Sequence, residues 1–203
     1  ITAGPTQESL DPVRYLTNHS SGKMGYAIAK MAMLRGANVT LISGKSQLKP
    51  VPFVKTVDIV SAADMFDAVS ANAGAADLIF MAAAIADYTP TSYIDNKIKK
   101  KDGDMSIPLM RTQDILKWLG EHRRENQVIC GFSMETENLI ENSRAKLIKK
   151  NADMICANNL KVEGAGFGVD TNVISVITLE EQFDLPLQSK ESVANEILSI
   201  AAR

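Results

Sequence analysis

Apolar residues fall along this chain in two rhythms. Val39 to Ser43, Val54 to Ile59, Asp77 to Ala83, Val128 to Phe132 and Asp153 to Ala157 are short runs with little polar alternation. That is the pattern of strands covered on both faces of a parallel sheet, and Ile1-Thr2-Ala3-Gly4 opens the chain in the same way. Between them, Lys23 to Leu34, Ala62 to Ala71, Asp114 to Arg124, Asn138 to Asn151 and Glu191 to Ala201 carry helical spacing. In the last of these, Val193, Ile197 and Ile200 recur about one turn apart behind Ser189, a residue type that caps helix starts. Gly36 after Arg35 is a natural stop for the first helix. Strands alternating with helices predict an α/β fold, a Rossmann-like doubly wound sheet, mostly parallel, with helices on both faces. Val173 to Thr178 and Phe183 to Leu187 predict a late β-hairpin. No repeat or linker breaks the pattern, so residues 1–203 are expected to form a single domain.

Two intervals exceed an ordinary connection. Residues 4–22 separate the first strand from the first helix, and residues 85–111 follow the run that ends Ala82-Ala83-Ala84-Ile85-Ala86-Asp87-Tyr88. Connections of that length tend to be functional, and both leave carboxyl ends of strands, where open α/β sheets bind ligands. The second holds Lys97-Ile98-Lys99-Lys100-Lys101. Four lysines in five positions repel one another and resist core packing; a loop carrying them is placed to close over a polyanion, although alone such a run is more often a solvated surface.

Composition narrows the choices. The 203 residues carry a net charge of -2, with 45% hydrophobic and 23% charged positions. That balance is globular and argues against a general nucleic-acid binder, whose domains are usually basic. Positive charge is local, around Lys97 to Lys101 and Lys146 to Lys150, which suits a small anionic ligand. Cys130 and Cys156 sit in apolar runs and read as buried thiols in a reducing cytoplasm. No run reaches the roughly 18 apolar residues of a membrane helix, so no membrane is expected. The chain opens without Met, which implies that it was cut from a longer polypeptide.

Candidate chemistry is sparse. Ser20-Ser21-Gly22-Lys23-Met24-Gly25 opens the first helix, where free N–H groups favour an anion, but it lacks the spacing of a Walker loop. Lys146 and Lys150 share a helix face and could straddle a phosphate chain, or merely lay their stems over Ile140, Leu147 and Ile148. A dinucleotide reading is weak. No G-x-G-x-x-G turn follows the first strand, and Gly164-Ala165-Gly166-Phe167-Gly168 opens no helix. Tyr93 and Lys97 have a dehydrogenase spacing but sit among loop residues. His19 and His122 belong to no catalytic triad or metal spacing, so no protein-held metal cluster is expected. What the inventory supplies is positioning and charge neutralisation, the two effects on which phosphoryl and nucleotidyl transfer depend.

Taken in order, Ile1-Thr2-Ala3-Gly4-Pro5-Thr6, Asp11-Pro12-Val13-Arg14-Tyr15, Asn18-His19-Ser20-Ser21-Gly22-Lys23-Met24-Gly25, Ala82 to Tyr88, Lys97-Ile98-Lys99-Lys100, Gly131-Phe132 with Glu135-Thr136, and Ile155-Cys156-Ala157-Asn158 resemble bacterial phosphopantothenoylcysteine synthetase along the whole chain. The resemblance implies a ligase of coenzyme A biosynthesis that joins 4'-phosphopantothenate to L-cysteine with CTP and Mg²⁺. It also implies a homodimer, an N-terminal flavin-dependent decarboxylase domain in the longer chain, and a cytoplasmic setting. It assigns Lys97 to the triphosphate and Asn18 to orienting an acyl-cytidylate. Met81, Ala82 and Ala83 are implied to meet the nucleotide through their backbone, Asp87 its ribose or polar edge, and Phe132, Lys146 and Lys150 further parts of it. Arg14, Asn18, Ser20, Ser21 and Gly22 would serve the phosphopantothenate end. The family's Asn-Pro-Asp-Ile stretch reads Thr112-Gln113-Asp114-Ile115 here, so Gln113, Asp114, Ile115 and Leu116 keep a helix start for backbone contacts without the proline. Ser133-Met134 replaces two smaller residues. The rival reading from another class is a nucleotide- or phosphate-sensing module without turnover.

Overall fold

The computed structural model describes residues 1–100, 102–135, 137–159, 162 and 164–203. Lys101 and Thr136, both part of sequence motifs above, lie outside the described residues. The apolar runs become β1 (Thr2–Ala3), β4 (Thr40–Ser43), β5 (Lys55–Asp58), β6 (Leu78–Met81), β9 (Val128–Glu135) and β10 (Met154–Asn159). Their connections hold β2 (Gln7–Ser9), β3 (Tyr15–Thr17), α1 (Lys23–Leu34), α2 (Ala62–Ala73), β7 (Tyr88–Pro90), β8 (Leu109–Arg111), α3 (Ile115–His122) and α4 (Leu139–Lys150). The chain ends with β11 (Thr171–Thr178), β12 (Gln182–Ser189) and α5 (Lys190–Ala201).

One eight-stranded sheet runs in the order β12-β11-β10-β9-β6-β1-β4-β5. The six strands from β10 to β5 pair in parallel, and the expected late hairpin adds β11 and β12 antiparallel at one edge. In chain order the parallel part reads 3-2-1-4-5-6, the doubly wound order, so the winding reverses between β1 and β6.

Side-chain alternation along each strand splits the core into two layers. Ala3, Leu41, Phe80, Cys130, Met154 and Cys156 face α1 and α5, meeting Ile28, Val193 and Ile197. Ile42, Ile79, Met81, Ile129 and Ile155 face α2, α3 and α4, meeting Met65, Leu119 and Leu147. Ile28, Phe80, Ile129 and Ile155 are essentially inaccessible, and burying each such side chain stabilises the fold by about 1.5–3 kcal/mol. The thiols of Cys130 and Cys156 are free, buried and 3.6 Å apart. Burial and the neighbouring thiol push Cys130 well above the ordinary cysteine value, so it stays neutral.

The structure corrects several boundaries. Strand Asp77 to Ala83 shortens to β6, and helix Asp114 to Arg124 to α3, because Asp114 caps the helix by accepting from Lys117 N–H at 3.0 Å. The two long intervals are not bare loops. β2 pairs with β3 and β7 with β8 as small antiparallel hairpins. Three-residue strands with exposed positions give no apolar alternation to read. Among the described residues no helix is long and apolar enough to cross a membrane.

Candidate active site

At the switch point, the segments that leave β1 and β6 are stitched together. Ala84 N–H donates to Gly4 O at 2.9 Å, and Thr6 N–H returns to Ala84 O at 3.2 Å. Ala83 N–H reaches the Thr2 hydroxyl at 3.1 Å and Ala86 N–H the Thr6 hydroxyl at 3.0 Å. From the other side, the Thr112 hydroxyl donates to Ala86 O at 2.6 Å and its N–H to Asp87 O at 3.0 Å. Thr112 thus helps fix the segment that carries Asp87.

Asn18 donates from its side-chain amide to the same Ala84 carbonyl at 3.1 Å. Past it, Gly22 precedes α1 at φ 81°, a left-handed conformation that glycine adopts without strain, and α1 starts with no side-chain cap. Gly25 lets α1 lie against β1, since a Cβ there would stand 2.6 Å from Thr2 O and from the Ala3 Cβ. The helix start is thereby pressed against the strand end that bounds the site.

Opposite, Phe132, Ser133 and Met134 extend β9 beyond β6. Lys146 reaches from α4 to Phe132 O at 2.8 Å, and the Ser133 and Ser143 hydroxyls meet at 2.5 Å. Asn158 donates to Ser133 O at 3.3 Å and accepts from the buried Asn172 amide at 2.8 Å. These walls enclose a cleft of about 440 Å³, lined also by Gly166, Phe167 and Lys190. It lies in the size range of small-molecule sites. A larger cavity of about 580 Å³ opens at the other end of the sheet, by Ile1, Thr40 and Leu78, where strands begin rather than end. Doubly wound sheets bind ligands at the carboxyl ends, and nine of the residues singled out from sequence line the smaller cleft.

Of those residues, Asn18, Ser20, Ser21, Gly22, Ala82, Ala83, Asp87, Phe132 and Lys146 line the cleft. The rest lie elsewhere. Met81 is buried in the core. Gln113 and Asp114 are exposed at the start of α3, while Ile115 and Leu116 are buried, Leu116 against the space that Gly131 leaves open. Lys150 pairs with Asp114. Burial raises the Asp114 pKa, but Lys150 and the Lys117 N–H outweigh it and hold the carboxyl below its ordinary value.

Lys97 is exposed and does not line the cleft. Its loop is anchored one residue on, at Ile98. The buried Asp11 carboxylate accepts from Ile98 N–H at 3.0 Å, from Val13 and Arg14 N–H at 2.8 Å each, and from the Arg14 guanidinium at 2.6 and 3.0 Å. Arg14 also donates to Ile98 O at 2.7 Å. Burial pushes Asp11 up, but these donors overcome it and hold it far below the usual carboxylate range. Asp11 and Arg14 therefore act on the lysine loop, a connection that charge density in the sequence does not reveal.

Asn172, Lys190 and the Gly166-Phe167 wall escaped the sequence reading. The glycine-rich segment was visible, but judged only as a dinucleotide turn. For Lys190 the usable signal was a lysine at the first position of a helix, where the dipole disfavours a cation. Among the described residues no group of three His, Cys, Asp or Glu side chains could hold a metal ion.

The class these features define is a doubly wound α/β domain with a cleft at its topological switch point, open to the start of α1. The chain belongs to the family described as DNA/pantothenate metabolism flavoprotein C-terminal domain, which matches residues 1–203. It is 48% identical over 200 residues to the coenzyme A biosynthesis bifunctional protein CoaBC of Bacillus subtilis (strain 168), covering 98% of this chain and 49% of that protein. With the protein of the same name from Vibrio vulnificus (strain YJ016) identity is 44% over 200 residues, covering 98% and 50%. The solved C-terminal domain of a coenzyme A biosynthesis bifunctional protein CoaBC is similar at a TM-score of 0.83 and 42% identity, over 98% of this chain and 90% of that one. The chain spans about half the length of the curated relatives it matches.

Proposed function

We propose that this domain is a CTP-dependent phosphopantothenate–cysteine ligase of coenzyme A biosynthesis, working in the cytoplasm. The observation that carries the reading is the convergence of Asn18, the Ser20–Gly22 turn, Ala82–Ile85, Asp87, Phe132 and Lys146 on one switch-point cleft. It occurs in a chain whose full-length relatives are named for that pathway.

The reaction takes two steps. The phosphopantothenate carboxylate attacks the α-phosphorus of CTP, displacing pyrophosphate and leaving an acyl-cytidylate. The cysteine amine then attacks the acyl carbon, loses a proton and expels CMP. Two anions must meet in the first step, so the chain's contribution is charge neutralisation and alignment. Lys97 closes on the triphosphate, while Lys146, Lys150 and Phe132 hold the nucleotide. Backbone groups of Met81 to Ala83 and of Gln113 to Leu116 bound it further, and Asp87 takes its ribose or polar edge. Ser20, Ser21 and Gly22 receive the acidic substrate at the α1 start, with Arg14 beside the lysine loop. Asn18, already fixed on Ala84 O, orients the acyl group for attack.

Mg²⁺ fits the reading as a companion of the triphosphate rather than a protein-caged ion, because among the described residues no group of three His, Cys, Asp or Glu side chains could hold it and its ligands would be mainly phosphate oxygens and water. Bound there, it would offset phosphate charge. A homodimer is part of the same reading. Exposed Val13, Tyr15, Tyr88, Tyr93, Ile94, Leu109 and Met110 belong to the two hairpins and the lysine loop, and a second copy would cover them. The other half of the longer relatives fits an N-terminal flavin-dependent decarboxylase.

Incubation with CTP, phosphopantothenate and cysteine, followed by mass detection of the ligated product, tests the assignment. Nucleotide binding without product would favour a sensing module. Asn18→Asp should accumulate acyl-cytidylate and lower ligated product by about 100-fold. Equal loss of both half-reactions would give Asn18 a general binding role instead.

A further inference from the structure

Residues 164–171 form a glycine-rich wall of the cleft with little regular structure of its own. Such a segment has large conformational entropy to lose on ordering. Its order here comes from outside. The Lys190 ammonium, only 6% of that residue being exposed, donates to Gly166 O at 2.8 Å, to Val169 O, and to Thr171 O at 3.0 Å. An ammonium has three donors, and three carbonyls take them. The Lys190 N–H takes Asp170 O at 2.8 Å. From the adjacent α1, Lys23 donates to Gly168 O at 2.7 Å and pairs with the Asp170 carboxylate at 2.8 Å, and the Ser21 hydroxyl donates to Phe167 O. Every backbone carbonyl from Gly166 to Thr171 is thus held by the first turn of α1 or α5, or by the residues just before α1.

Both lysines stand at first helical positions, where the dipole disfavours a cation. Burying an ammonium is costly unless every donor is satisfied. Burial, then the charge of Lys23, lower the Lys190 pKa, against the opposing pull of Asp170. An anion arriving at the Ser20–Gly22 turn would relieve that repulsion, so the clamp and the candidate ligand site share one electrostatic neighbourhood.

We propose that Lys190, assisted by Lys23, is a positioning residue: it fills a cage of backbone carbonyls and holds segment 164–171 closed along the cleft, keeping the wall formed by Gly166 and Phe167 ordered for ligand binding. The identity of the nucleotide rests on the ligase reading; the clamp itself does not. Hydrogen exchange on the wild-type chain, Lys190→Met and Lys190→Arg, with and without CTP, combined with steady-state kinetics, tests it. Lys190→Met should speed exchange in 164–171 by at least about tenfold while the body of α5 and the middle of β11 keep their protection. The KM for CTP should rise by about tenfold with kcat changed less than about threefold, and Lys190→Arg should recover most of both. Unchanged exchange in the segment would overturn the proposal. So would loss of protection spread evenly through α5 and β11, or an unaltered KM for CTP in a variant whose segment has opened. Absence of product from the wild-type chain would instead remove the ligase reading, and the exchange data would still decide the clamp.

Discussion

Lys97, Lys99 and Lys100 stand exposed on a loop, whereas Lys23, Lys146, Lys150 and Lys190 each reach an oxygen elsewhere in the fold. The two groups are held in opposite ways. The loop lysines are held through their neighbours: the Ile98 N–H and carbonyl are fixed by Asp11 and Arg14, and the Ile94 N–H by Leu10 O. The helix-borne lysines are tied through their own ammonium groups. A lysine that reaches a protein oxygen helps fix the fold before any ligand arrives, and an exposed one is placed to meet the ligand. Charge density along the chain picks out the first group. It marks Lys146 and Lys150 as well, but only the fold shows what they, Lys23 and Lys190 reach.

The largest expected effect is Lys97→Gln, which should lower pyrophosphate release by at least about 100-fold while leaving the thermal midpoint within about a degree of wild type. Near-normal release would remove the loop from the chemistry and leave the partnered lysines as the working set.

Next comes Asp11→Asn, which weakens the anchor of the loop without touching a lysine. The KM for CTP should rise about fivefold with a smaller change in kcat, because the loop must be ordered again at each encounter. The same variant has a pH signature. Asp11 stays ionised in the folded chain at pH values where an unfolded aspartate, titrating near pH 4, becomes protonated. Its contribution to stability is therefore complete above about pH 4 and is lost as the pH falls below that. Urea midpoints of wild type and D11N should differ most near neutrality and converge under acid; a gap that widens in acid would contradict the assigned role.

The smallest effect is expected for Lys99→Gln and Lys100→Gln. Each should change kcat/KM for CTP by no more than about threefold at moderate salt, with a weaker dependence on ionic strength than wild type. A loss as deep as that of Lys97→Gln would make the run a joint site rather than a loop with one working residue.

The central strands and the five helices of the described residues were readable because burial on both faces forces apolar runs of the right length, and helices repeat their apolar positions each turn. Asn18, Ser20–Gly22, Ala82–Asp87 and Phe132 were readable as motifs. The hairpins β2/β3 and β7/β8 were not, since their strands are three residues long and partly exposed. Lys190 was hidden for a different reason. Its partners are carbonyls 19 to 24 residues upstream, and backbone oxygens carry no sequence signature.

The α/β class, the parallel sheet with its late hairpin, and the motifs of the candidate site follow from the order of residues alone, because periodicity and residue type are local properties. The tertiary structure decided which segments meet. It brought the ends of β1, β6 and β9 to one cleft, kept the lysine loop outside it on the Asp11–Arg14 anchor, and turned a buried lysine onto the glycine-rich wall. Those outcomes depend on strand order and on hydrogen bonds between residues far apart in the chain, and no local pattern records either.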